Sequence, residues 1–120
     1  MAAGFESIFA RLRGILQKHA ATLYVKEDKT GSYILETQFH PKLKKRLWFG
    51  AVRIGKAYVS YHLMPVYGHP PLLDGMSKKL KARMQGKACF NFKTEDEILF
   101  KELEDLTARG FTAFQKAGYI

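Results

Sequence analysis

The chain has 120 residues, 47% of them hydrophobic and 26% charged, and a formal charge of +9. That is enough for a single domain with one core, and no apolar run nears the roughly 20 residues that a membrane-spanning helix needs. The lone cysteine, Cys89, excludes an internal disulfide framework and fits a reducing cytoplasm, and Met1 to Glu6 lack the basic start and apolar run of a secretory signal. The charge is uneven: 17 Lys/Arg face 5 Asp/Glu up to residue 94, and 3 face 6 after it.

Phe5, Ile8, Phe9, Leu12, Ile15, Leu16 and His19 recur at helical spacing and predict an amphipathic first helix. Thr22 to Lys26 and Ser32 to Thr37 read as strands, joined by a four-residue turn, Asp28 to Gly31, with Gly31 where φ is positive. Pairing across that turn sets Val25 opposite Ile34 on one face. Tyr24 then meets Leu35, and Lys26 meets Tyr33, on the other. Gln38 to Lys45 is a basic connection broken by Pro41.

Leu47 to Ile54 and Ala57 to Leu63 are two β-prone runs around Gly55-Lys56, the signal of a tight hairpin with Gly first in a two-residue turn. Ile54 then pairs with Ala57, Val52 with Val59, Gly50 with Tyr61 and Trp48 with Leu63. This apolar face predicts burial of Trp48 in the core. Arg53 with Tyr58, Ala51 with Ser60 and Phe49 with His62 form the opposite face.

Met64 to Pro71 is a loop punctuated by proline and glycine. Leu72, Leu73, Met76, Leu80 and Met84 predict a helix stopped at Gly86. Lys87 to Phe92 alternates as a fifth strand. Thr94 to Glu97 reads as a capping box for a last helix from Glu95 toward Ala117, with Gly110 a place where it bends or ends. The predicted fold is α+β: a five-stranded antiparallel sheet with helices packed on one face, in the order α-β-β-β-β-α-β-α, as a single domain over residues 1–120.

With helices on one side, the other face is bare. It presents Tyr24, Tyr33, Phe49, Arg53, Tyr58, His62 and Cys89 as candidate ligand- or partner-binding residues. Three uses remain open: a homodimer interface, a concave surface for a partner or a small apolar or aromatic ligand, or rings scattered without a common role. The clusters Lys42 to Arg46 and Lys78 to Lys87 allow a second reading, a nucleic-acid-associated protein. A third is an enzyme in which His62 activates Cys89, although nothing local marks that cysteine as a nucleophile. His40, His62 and His69 lack metal-site spacing, and no phosphate-cradling glycine loop occurs. No cofactor, metal or catalytic residue is assigned. The acids of the last helix, Glu95 to Asp105, read as a solvated strip.

Tyr58-Val59-Ser60-Tyr61-His62-Leu63-Met64, Val66-Tyr67, Leu72-Leu73 and Gly86 to Lys93, with the helix after Thr94, resemble the YdhG-like family of small bacterial domains of unknown function. The resemblance covers residues 56–106 best and implies an α+β domain with an antiparallel sheet. Some members of that family are labelled putative iron chaperones by likeness to frataxin. No metal site is transferred from them to residues of this chain.

Overall fold

A computed structural model describes residues 2–120. The apolar stripe Ile8, Leu12, Ile15 and Leu16 winds into helix α1 (Ala2–Gln17) and is fully buried. The strands are β1 (Tyr24–Lys29), β2 (Ser32–Glu36), β3 (Trp48–Ile54), β4 (Val59–Leu63) and β5 (Cys89–Phe92). They lie side by side in chain order, every neighbouring pair antiparallel. Short helices α2 (Met64–Gly68) and α3 (Lys78–Lys81) fill the crossing from β4 to β5, and α4 (Glu97–Lys116) comes last. The fold is therefore α+β with the expected order of elements. No helix among the described residues is long and apolar enough to cross a membrane.

Both long helices pack on the same face of the sheet. A Cβ added at Gly50 of β3 would lie 2.7 Å from Leu16 Cδ2 of α1. The Tyr61 hydroxyl of β4 bonds Thr107 Oγ1 of α4 at 2.6 Å, fully buried, and Phe49 meets Phe111 and Phe114 of α4 edge-on at 5.8 Å each. Thr107 also donates to the Leu103 carbonyl, so no polar atom of this contact is left alone.

Three details of register differ from expectation. Ile54 faces Val59, Val52 faces Tyr61 and Gly50 faces Leu63, so the β3–β4 loop has four residues, Gly55 to Tyr58. Gly55 does not take a positive φ; its N–H donates to the Tyr58 carbonyl at 2.9 Å. A slip of two residues preserves which side chains face inward. It sets Val59, Tyr61 and Leu63 against Ile54, Val52 and Gly50, and leaves Lys56 and Ala57 in the loop.

The second difference is a β-bulge. Leu35 pairs with Gly50 and Glu36 with Trp48, so Phe49 is an extra residue with no partner in β2. The bulge turns Phe49 into the core, where it is completely buried, and puts Trp48 on the outer face, half-buried and edge-on to His62 with ring centres 6.2 Å apart. Trp48 and Phe49 have thus exchanged the faces that strict alternation predicts.

The third lies in the first hairpin. Its turn is the two residues Thr30 and Gly31, Lys29 pairing with Ser32, and Gly31 takes φ +77°. Val25 consequently pairs with Leu35, and Lys26 bulges out before Glu27. This one-residue slip inverts β2: Tyr33 and Leu35 enter the core, at 2% and 0% exposure, while Ile34 joins Ala51 on the outer face.

The expected helix from Leu72 to Met84 is broken. Pro70–Leu73 forms a 3-10 turn, Gly75 takes φ +82°, and Ser77 caps the single turn of α3 by accepting from the Leu80 N–H at 3.1 Å. The last helix is capped two residues later than expected: Asp96 Oδ1 accepts from the Leu99 N–H at 3.2 Å, and Thr94 lies outside the helix. Glu97 turns instead to the Arg11 guanidinium at 2.5 Å. The helix continues through Gly110, whose missing side chain admits Pro65: a Cβ there would stand 3.0 Å from the proline ring.

Candidate functional site

The face away from the helices divides in two. Its β1–β2 half closes on itself. Lys26 pairs with the buried Glu36 at 3.3 Å, the Ser32 hydroxyl donates to Glu27, and Ile34 lies buried between them. Tyr24 stands at this edge with the Arg46 guanidinium 3.9 Å above its ring.

The β3–β5 half carries uncommitted chemistry. The register sets Arg53 opposite Ser60, Ser60 opposite Asn91, and His62 opposite Cys89, so these side chains share one face. Cys89 Sγ lies 4.0 Å from His62 Nε2 and donates to Asn91 Oδ1 at 3.4 Å. Asn91 Nδ2 donates to Gln85 Oε1 at 2.6 Å, and the Tyr58 hydroxyl donates to the same oxygen at 3.4 Å. Arg53, Lys56, Tyr58, Ser60 and His62 line a groove of about 460 Å³. Arg53 is exposed and has no ion-pair partner among the described residues.

Burial, with the charge of Arg53 nearby, holds His62 below the ordinary imidazole range. Burial also pushes the Cys89 thiol up. Near neutral pH the pair is a thiol beside a neutral imidazole. A nucleophilic cysteine needs the reverse, a thiolate held by a cation. The site therefore offers hydrogen bonds and cationic charge rather than an activated sulfur.

Of the residues expected at the site, the structure gathers Arg53, Tyr58, His62 and Cys89. It leaves Tyr24 at the far edge and moves Tyr33 and Phe49 into the core, for the register reasons above. Sequence reasoning places Ser60 and Asn91 on this face without naming them as site residues, and misses Gln85 and the outward turn of Trp48 beside His62. The alternation of Cys89 and Asn91 with the buried Phe90 and Phe92 is a signal for Asn91. Trp48 had none, because only the bulge turns it outward. Among the described residues no three His, Cys, Asp or Glu side chains converge on a position that could hold a metal ion. In comparisons with known proteins, no family model, no curated protein and no solved structure matches this chain.

Proposed function

We propose that this chain is a small binding domain that takes a small anionic ligand on the helix-free face of its sheet, between Arg53 and His62. The supporting observation is the groove over β3 and β4: Arg53 and Lys56 border it, no carboxylate lines it, and Ser60 and His62 stand at its floor. A cation in a concave site raises the local concentration of anions, and neutral donors beside it select by geometry. With Tyr33 and Phe49 in the core, the face loses two of the rings on which an aromatic interface was expected, which favours the anion reading.

Amide NMR with inorganic phosphate as the probe tests the reading. Saturable shifts confined to Arg53, Ser60, His62 and Cys89, weakened at least about tenfold by Arg53→Ala, are the expected result. Absence of saturable shifts on this face at millimolar phosphate would refute it. So would preferential shifts of these residues by an oligothymidylate, or a dimer in sedimentation that buries them.

A further inference from the structure

A second concavity lies at the other end of β3, and its walls are aromatic. Trp48 forms one side, Met64 and Tyr67 of α2 a second, and Phe114 of α4 with Tyr119 just past its end a third. The cleft is open to solvent and its volume is about 520 Å³, within the range of sites for small molecules. Tyr67 is 57% exposed, with the Lys87 ammonium 5.7 Å from its ring.

The walls are built rather than loosely placed. Gly118 takes φ +83° and donates its N–H to the Gln115 carbonyl at 3.1 Å, while the Tyr119 N–H donates to the Phe114 carbonyl at 2.9 Å. These are the two bonds of a Schellman ending, and they fold Tyr119 back so that its ring meets Phe114 edge-on at 5.2 Å. At the rim stand Lys45, Arg46 and His69, and no carboxylate lines the cleft. Arg46 is held in place by its stack on Tyr24. His69 Nδ1 lies 3.3 Å from the Pro65 carbonyl. A carbonyl only accepts, so Nδ1 carries the hydrogen and Nε2 remains for a ligand.

We infer that this cleft binds a small aromatic carboxylate, its ring between Trp48, Tyr67 and Tyr119 and its carboxylate at Lys45 and Arg46. The volume fits one or two rings, and the charge fits only an anion. This site is separate from the groove at Arg53, and the two inferences fail independently.

Titration of the whole chain with phenylacetate, benzyl alcohol and phenethylamine separates ring from charge. Shifts are read at the Trp48 indole N–H, the Met64 methyl and the Tyr119 amide. Phenylacetate should give saturable shifts at these three, with affinity at least about tenfold above the neutral alcohol and no saturation by the amine. Lys45→Glu together with Arg46→Glu, both on the exposed surface, should weaken phenylacetate by a similar factor and leave the alcohol unchanged. Tyr119→Ala should weaken both. Equal binding of the three probes, no saturable shift at millimolar phenylacetate, or insensitivity to the double charge reversal would overturn the inference. Phenylacetate shifts confined to Ser60, His62 and Cys89 would overturn it too, and would leave the anion groove standing.

Discussion

At the scale of single residues, Gly50 is a point of close approach between helix and sheet. A methyl group there would meet Leu16 Cδ2 at 2.7 Å and the His62 carbonyl at 3.2 Å, and Leu16 has no room to yield because it is fully buried. Gly50→Ala is therefore expected to destabilise by about 1–3 kcal/mol despite the better strand propensity of alanine, measured by urea denaturation. The histidines set the acid side of the stability profile. Burial holds both His62 and His19 below the ordinary range, helped by Arg53 and Lys18 respectively. The unfolded chain thus binds more protons than the folded one below about pH 6.5, so stability is full above that value and falls as pH drops. The denaturation midpoint should decline from about pH 7 to about pH 5, and His62→Gln should flatten the decline. A decline of unchanged steepness in that variant would exclude His62 as a cause. The identities of His62, Cys89 and Arg53 as neighbours were legible in the sequence, because all three lie on regular stretches where alternation holds.

At the scale of elements, the errors share one physical origin: alternation carries no mark of an inserted residue. Trp48 and Phe49 are both large and aromatic, so either can face inward, and the choice falls to a bulge that pattern reading does not register. Tyr33 and Ile34 are ambiguous in the same way: the shorter turn alone shifts the register by two and keeps the faces, and the extra residue at Lys26 makes the net slip one and decides between them. Helix ends follow similar logic. Thr94 and Asp96 are both capable caps, and the winner is Asp96, which leaves Glu97 free for Arg11 and Glu95 Oε1 for the Ser7 hydroxyl at 2.5 Å. Asp96→Ala should cost about 0.5–2 kcal/mol of stability, while Thr94→Ala should leave the midpoint nearly unmoved. The reverse ranking in thermal or urea denaturation would restore the earlier cap.

At the scale of the molecule, element order and the meander were legible, because each strand pairs with its chain neighbour and the helical spacings are long. What the sequence concealed is the use of the acidic strip. Glu95, Glu97 and Glu104 of the last segment meet Ser7 and Arg11 of α1 and Lys18 just past its end, and Glu102 accepts from the backbone and hydroxyl of Ser77. The strip expected to be solvated therefore fastens the two long helices and the α3 cap. These pairs are exposed, so each contributes little alone, and their effect is screened by salt. The excess positive charge repels itself over the rest of the surface. Pairing and self-repulsion both weaken as salt rises, and with a charge of +9 the repulsion dominates. The thermal midpoint should rise from low salt to about 0.3 M sodium chloride; a fall would show that the helix–helix pairs outweigh it.

The bulge at Lys26 governs how this chain behaves in the company of its own copies. An open five-stranded sheet has two free margins, each a template for stacking onto another molecule. The β5 margin is occupied by the chain itself: the Asn91 N–H donates to the Arg83 carbonyl at 2.8 Å, and the Gln85 N–H to the Cys89 carbonyl at 2.9 Å. Among the described residues the β1 margin has no such cover. It is guarded by Lys26, Glu27, Asp28 and Lys29, and by the kink that the extra residue puts into the strand. Deleting Lys26 should straighten that margin and remove one of its guards, so that the variant grows fibrils under agitation where the parent chain does not. Thioflavin fluorescence of the deletion beside the parent chain is the measurement, and equal, flat traces would show that the charges alone suffice.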